Sequence, residues 1–372
     1  MYRNRRIVLN SRISLNPPPN IDPTKATLAY GRLAISRLNR ELKDETLLIR
    51  QRSVRALCDY LHDPEHISEA VHEGVISTLK TLLKDPDVPC RAIATECFVV
   101  LNQHSIGREA FINTKVLDVM KLLFSSYEPN IVRLNAHRSI ELLVLNPMYT
   151  QVLVDADLIP LLLSCLEREF VEIKIIILET LNKCLALDSD AGLNANGMQV
   201  FTKLLSYHDM TVRHKSAQAI LRLAVNNRGK QQAIEKETIP KLVNLLLDED
   251  SEVRASAAGA LAFISVITPG RYATLNANAI PNLLRCLLSP NSRVRVNSLK
   301  ALACIAEAPE GRRVLQTALQ QIECMMDDEN AGVRKHAKIT ADVIKWKPWD
   351  LGPRCQKVPT EPKPCNCKNI YY

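Results

Sequence analysis

The residues with the most regular spacing in this chain are basic. A Lys or Arg recurs with a period of about 41 residues, at Arg50, Arg91, Arg133, Lys174, Arg213, Arg254, Arg295 and Arg334. A guanidinium can bind a carboxylate or phosphate from a ligand, but the same chemistry can join two elements of a fold. We interpret the series as structural, with each cation contacting the acidic turn before it or the neighbouring repeat. A binding role would require an open groove.

A second series consists of a glycine followed by a cation, sixteen residues after the first series (213 to 229, for example). It comprises Gly107-Arg108, Gly229-Lys230, Gly270-Arg271 and Gly311-Arg312. A cation near a helix N-terminus opposes the helix dipole, so folding alone does not obviously favour it there. The simpler interpretation is a solvated charge in an exposed loop. The alternative is contact with an acidic partner, for which Arg108, Lys230, Arg271 and Arg312 are the candidate residues.

Residues for catalysis are lacking in the sequence. It contains none of the nucleophile-elbow, phosphate-loop, zinc-protease or dinucleotide-binding motifs, and only 11 glycines. His62, His66 and His72 are poorly phased for a metal because Asp63-Pro64 interrupts the helical pattern, and Cys365-x-Cys367 supplies too few ligands. We predict no enzymatic activity, no cofactor or metal, and no small-molecule substrate.

The elements that carry the cations have helical periodicity. Positions three, seven and ten after each cation, such as Ala257, Leu261 and Ile264 after Arg254, are small or apolar and share one helix face. Residues suited to cap these helices stand four positions before several cations: Asp87, Asp209, Asp250, Asn291 and Asn330. A second helix precedes each such helix, as at 238–248, and a short third helix follows it. The sequence therefore predicts an all-α, armadillo/HEAT-type right-handed solenoid of about eight repeats with extended termini.

Charge and composition suggest three regions. Residues 1–43 form a basic, Pro-containing arm and leading helix, residues 44–346 the armadillo solenoid, and residues 347–372 a basic Pro/Cys tail. The net charge of +8 comes from the ends, so Arg3, Arg5, Arg6 and Arg12 are further candidate partner-binding residues. The aromatic content of 5% and the absence of basic patches interleaved with aromatics argue against nucleic-acid binding.

Two further patterns bear on cellular location. The apolar runs are shorter than the roughly 20 residues of a membrane-spanning helix, and there is no secretory signal, so we expect no membrane partner. Eight cysteines are scattered through the helical patterns without framework spacing, which favours buried, reduced thiols.

Several segments resemble the radial spoke head 14 homolog family, also called rhabdoid tumor deletion region protein. They are "LNPPPNIDPTKATLAYGRLAISRLNREL" (15–42), "HSIGREAF", "GALAFISVITPGRYATLNANAI" and "KALACIAEAPEGRRVLQTAL". The resemblance covers about residues 15–348; the Arg-rich start and the tail depart from the family pattern. It implies a non-enzymatic scaffold of the radial spokes in cilia and flagella, located in the cytoplasm, cytoskeleton and axoneme. The implied partners are other radial spoke proteins and doublet-microtubule-associated proteins.

Two alternatives remain open. A soluble armadillo adaptor would bind an extended peptide or cargo on its concave face and should repeat polar residues there. The positions nine after each cation are instead mixed: Asp59, Val100, Leu142, Lys183, Arg222, Phe263, Cys304 and Val343. They lack the repeated Asn of nuclear import receptors, whose Trp is also absent. Finally, residues 1–15 carry four arginines and no acid, as a mitochondrial presequence would, although Pro17–Pro19 and the missing apolar helix face disfavour it.

Overall fold

The computed structural model describes residues 34–347. Within that range the chain forms α-helices and two short 3-10 turns, Lys121–Phe124 and Met325–Asp327, and no strand. The chain divides into two compact units, Met1–Val200 and Phe201–Tyr372.

The helices of the first unit, in chain order, are α1 (Ala34–Glu41), α2 (Leu47–Leu61), α3 (Pro64–His72), α4 (Val75–Leu82), α5 (Val88–Asn102), α6 (Ser105–Asn113), α7 (Leu117–Met120), α8 (Asn130–Leu143), α9 (Pro147–Asp155), α10 (Leu158–Leu166), α11 (Val171–Leu187) and α12 (Ser189–Asn194). Helix α13 (Gly197–Leu204) spans the division between the units. The second unit continues with α14 (Met210–Leu223), α15 (Asn227–Glu235), α16 (Thr238–Leu245), α17 (Ser251–Ile264), α18 (Thr268–Asn276), α19 (Ala279–Cys286), α20 (Ser292–Ala306), α21 (Pro309–Gln316), α22 (Leu319–Cys324) and α23 (Ala331–Lys345).

The helices follow a three-helix repeat, which confirms the armadillo arrangement predicted above. From α5 onward a short helix and a second helix precede each long main helix, as α15 and α16 precede α17. In the first unit the main helices α2, α5, α8 and α11 pack successively against one another, and in the second unit α14, α17, α20 and α23 do the same. Each unit thus buries its apolar faces between neighbouring repeats.

Side-chain caps fix where the main helices begin. Asp87, Asp209 and Asp250 each accept a hydrogen bond from a backbone N–H in the first turn of the helix that follows. Asn291 and Asn330 do the same for α20 and α23. All five predicted caps are confirmed, and each satisfies a donor that an uncapped helix leaves free.

The second helices, with the exception of α22, begin after a left-handed backbone turn. The residue at this turn is Gly74 before α4, with φ of 70°, but Asp157 and Glu237 before α10 and α16, with φ of 55° and 54°. A left-handed residue ends the preceding short helix and redirects the chain. Residues other than Gly or Asn are unusual there, so the packing of the flanking helices holds the turn in place.

The predicted apolar face forms the core of each repeat. Among the described residues, every position three, seven and ten after a main-helix cation is buried except Tyr60, which is half-buried. Six of the eight cysteines in helical patterns are also buried, as expected, whereas Cys304 is half-buried and Cys324 is exposed. Burial raises the pKa of the Cys184 thiol to about 12, so this sulfur behaves as a small hydrophobic group.

Membrane-length apolar helices are absent from the described range when each helix is taken singly. Helices α9 and α10 reach the required length and apolarity only as a pair, and they bend by 83° at their junction.

Candidate functional site: two ladders of cations

The recurring main-helix cations, which we call the main ladder, connect consecutive repeats. Arg213 shows the pattern. Its Nη1 donates to the carbonyl oxygens of Tyr207 and His208, at 3.0 and 2.8 Å, in the turn before its own helix. Its Nε and Nη2 donate to the Asp248 carboxylate in the next repeat, at 2.7 and 3.1 Å. The Arg213 guanidinium therefore links its own helix to the turn before that helix and to the next repeat.

Five arginines of the main ladder have a carboxylate partner in the following repeat. The pairs are Arg50–Asp85, Arg91–Glu128, Arg133–Glu169, Arg213–Asp248 and Arg295–Asp328. The hydrogen bond that Arg50 donates to Asp85 raises the pKa of Arg50, and the hydrogen bond that Asp328 accepts from Arg295 lowers the pKa of Asp328. These contacts confirm the structural interpretation of the main ladder, because each arginine reaches both the preceding turn and the neighbouring repeat.

Three members of the main ladder differ. Lys174 donates to the Leu166 carbonyl oxygen, and its burial lowers the pKa of its amine. Arg334 donates to two carbonyl oxygens only, at 2.8 and 2.9 Å. Arg254 also makes the two carbonyl contacts, but in the next repeat it meets the hydroxyl of Ser289, at 3.5 Å, and no carboxylate of the described residues.

The glycines of the second series allow a close helix crossing. A Cβ atom on Gly229 would lie 1.9 Å from the carbonyl oxygen of Leu223, and one on Gly270 would lie 2.1 Å from that of Ile264. The four short helices that carry these glycines therefore begin against the last turn of the preceding main helix, where a Cβ atom would clash with the backbone.

The cations after these glycines, which we call the second ladder, bond to the end of that same main helix. Arg108 Nη1 donates to the carbonyl oxygens of Asn102 and Gln103, at 2.8 and 3.0 Å. Lys230 Nζ donates to the Val225 carbonyl oxygen at 3.1 Å, and the residue is only 6% exposed. A positive charge at a helix C-terminus is favourable. The argument that folding does not favour these cations is therefore wrong, because it considered only the helix on which they lie.

Arg271 and Arg312 meet around one residue. Arg271 forms an ion pair with the Glu307 carboxylate, while Arg312 Nη2 donates to the Glu307 carbonyl oxygen at 3.4 Å. The Arg312 guanidinium also lies 4.8 Å from the centre of the half-exposed Trp346 ring. The structure thus brings these two candidates together and gives them a folding role. Partner binding through the second ladder stays a prediction.

The remaining candidates are quickly placed. Arg3, Arg5, Arg6 and Arg12 lie outside the described residues, so their proposed contacts also stay predictions. In residues 34–347 no three His, Cys, Asp or Glu side chains are grouped closely enough to hold a metal ion. Of the histidines considered for a metal, His66 stacks on Tyr60 with the ring centres 3.5 Å apart.

Comparisons with known proteins agree with this geometry. A family model described as HEAT repeats matches residues 239–341, and one described as a HEAT-like repeat matches residues 210–264. An engineered protein of known crystal structure is similar with a TM-score of 0.62 and 20% identity, over 84% of this chain and 88% of that one.

Two designed armadillo repeat proteins are also similar. YIII(Dq)4CqI has a TM-score of 0.56 and 23% identity, over 60% of this chain and 98% of that one. YIII(Dq.V1)4CPAF, solved in complex with the peptide (KR)4, has a TM-score of 0.56, 22% identity and the same coverage. These likenesses show the fold: this chain forms an armadillo/HEAT-type helical solenoid. Stacked repeats of this kind present extended surfaces to other proteins.

Proposed function

We propose that this chain is a non-enzymatic structural component of the axonemal radial spoke complex, where it holds spoke proteins together for ciliary and flagellar motility. The observation that carries the proposal is the resemblance of residues 15–42 and of several repeat segments to the radial spoke head 14 homolog family. Its partners are other radial spoke proteins and doublet-microtubule-associated proteins, and its location is the cytoplasm, the cytoskeleton and the axoneme of cilia and flagella.

The main ladder supports a mechanical role of this kind. Each arginine with a carboxylate partner joins one repeat to the next, and the pairs are partly or fully buried. In the most buried pair the side chains of Arg133 and Glu169 are 10% and 1% exposed. Such pairs are costly to break once buried. Ion pairs of this kind hold neighbouring repeats of a unit together. Such rigidity is suited to a scaffold that keeps other proteins at fixed distances.

The alternative function is a soluble adaptor that binds an extended peptide on its concave face. It draws on the likeness to a designed armadillo protein solved with the peptide (KR)4. The residues nine positions after each main-ladder cation, which would line the concave face, argue against the adaptor function. They include the exposed Lys183, the half-exposed Phe263 and the buried Val100, so no single polar group repeats along the series.

The basic termini supply the electrostatic part of attachment in this proposal. Residues 1–43 contain nine Lys or Arg against two acidic residues, and the Arg3 to Arg12 cluster lies within them. A cluster of cations attracts acidic surfaces, and salt screens that attraction when the charges are in solvent. Removing residues 1–15 should therefore lower the salt concentration that extracts the protein from axonemes, without changing its melting transition. An unchanged extraction point would assign attachment to the repeats.

The function is tested by fractionating cells that express the tagged full chain. The tagged protein should remain with demembranated axonemes and be lost from axonemes that lack radial spokes, while a dynein-arm protein stays in both. Retention in spokeless axonemes, or recovery only in the soluble fraction, would refute the proposal. A mitochondrial signal would favour the presequence alternative instead. The tag should be placed at the C-terminus so that residues 1–15 stay free.

A further inference from the structure

Ser289 occupies the position that a carboxylate fills elsewhere in the main ladder. Asp85, Asp248 and Asp328 each accept a hydrogen bond from the backbone N–H two residues further on, at 2.9, 3.0 and 2.8 Å. Each also pairs with the arginine of the repeat before it. Ser289 Oγ accepts the equivalent bond from the Asn291 N–H, at 3.3 Å. It therefore keeps the turn and lacks the negative charge.

The missing carboxylate leaves Arg254 without an ion pair among the described residues. Its Nη1 donates to the carbonyl oxygens of Asp248 and Glu249, at 2.7 and 2.9 Å, and its Nη2 reaches only the Ser289 hydroxyl. The Asp248 carboxylate does not serve Arg254, because it pairs with Arg213. A guanidinium that is partly buried without an anion is a strong binding group for one.

A second guanidinium faces the same space. Arg254, Arg285 and Ser289 line an open surface cavity of about 470 Å³. Arg285 is exposed, and its side chain makes no hydrogen bond or ion pair with the described residues. Glu249 also lines the cavity, but it contacts Arg254 through its backbone carbonyl oxygen and forms an ion pair with neither arginine. The folded chain thus supplies no ion-pair partner, among the described residues, to either of the two guanidinium groups that line this cavity.

Apolar side chains border the cavity. Leu247 is 51% exposed and Leu288 is 73% exposed, and both are part of the lining. Exposed leucines beside a pair of cations match a ligand that carries an acidic group next to an apolar one. An anion in a partly enclosed cavity also interacts more strongly with its partners than it does in open solvent.

We propose that this cavity binds an Asp or Glu side chain from an acidic segment of a partner protein. The partner carboxylate completes the main ladder by pairing with Arg254 and Arg285, and an adjacent apolar residue of the partner packs on Leu247 and Leu288. The inference rests on the proposed scaffold function and names the chemistry of one of its contacts.

The test measures binding of a fluorescent peptide of alternating glutamate and leucine to the purified full chain, by anisotropy. The wild type should bind it saturably, and a lysine–leucine peptide should not bind. Ser289→Asp fills the position from inside the fold, so it should weaken binding by about ten-fold or more and raise the melting temperature. Arg254→Gln should weaken binding as much without that rise. Gln320→Glu, which adds the same charge at an exposed position, should leave affinity unchanged.

Equal affinity of the wild type and Ser289→Asp would overturn the inference, as would the absence of any binding to the glutamate–leucine peptide. Equal binding of the lysine–leucine peptide would also overturn it, since contact would then depend on the leucines alone. None of these outcomes bears on axonemal location, because the assay contains only the purified chain and a peptide. A failure here is therefore distinguishable from a failure of the proposed function.

Discussion

Replacing Arg213 of the main ladder should lower the free energy of unfolding more than replacing Arg254, the equivalent arginine in the next repeat. Arg213→Gln removes the bidentate contact to Asp248, whose side chain is only 7% exposed, and leaves that carboxylate with its backbone N–H partner alone. Breaking a buried pair from one side costs about 3–5 kcal/mol. Because Arg213 is 19% exposed, we expect the low end, about 3 kcal/mol.

Arg254→Gln is the matched control. Arg254 makes the same two carbonyl contacts as Arg213, but its removal strands no carboxylate. The expected loss is about 1–2 kcal/mol, the value of the hydrogen bonds alone. The two sites lie in the same unit and receive the same substitution, so their difference isolates the carboxylate.

The assay is urea unfolding of the full chain, followed by circular dichroism, together with hydrogen exchange of α14 and α17. Hydrogen exchange is needed because a repeat array does not always unfold in a single step. Arg213→Gln should lower protection in α14 and α17 together. If Arg213→Gln costs no more than Arg254→Gln, the carboxylate contacts contribute nothing to the coupling between repeats and the role assigned to the main ladder is wrong.

Three further outcomes follow from packing and burial. Leu261 is fully buried, so Leu261→Ala should destabilise the second unit by about 2–5 kcal/mol, whereas Leu247→Ala, at a half-exposed side chain, should change urea unfolding by less than about 0.5 kcal/mol. Gly229→Ala places a Cβ atom 1.9 Å from a main-chain oxygen and should lower the melting temperature far more than Gly332→Ala, where the nearest atom is a side-chain oxygen at 3.0 Å. Burial lowers the pKa of His137 to about 3. The unfolded chain, with an ordinary histidine pKa of about 6.5, therefore takes up a proton at a higher pH than the folded chain does. The free energy of unfolding should fall as the pH drops below about 6.5, by at most about 1.4 kcal/mol per pH unit. His137→Phe should reduce this pH dependence in urea titrations.

The repeat and its core could be predicted from sequence because both depend on short-range periodicity. The Asp209 and Asp250 caps were identifiable for the same reason: a cap acts within one turn of its own helix. The left-handed turns were not predicted. Glu237 has no local preference for positive φ, and its conformation is set by the helices that meet there.

The two ladders show where sequence reasoning is limited. The basic series was found by its period, and its structural role was inferred correctly. A partner was considered for the second ladder because only its own helix was taken into account, although Lys230 bonds to the carbonyl at the end of the helix before it. The missing carboxylate at Ser289 is not visible in the sequence, because the distance along the chain from each arginine to its partner varies between 33 and 37 residues. Only the contacts reveal which residues are equivalent.

The most direct test of the proposed function is cross-linking mass spectrometry on isolated axonemes, because it reports neighbours residue by residue. The account predicts cross-links between lysines of this chain and radial spoke proteins, at sites spread over both units. It would be contradicted if the chain were recovered from axonemes with cross-links only to proteins outside the spokes, or if it were absent from them.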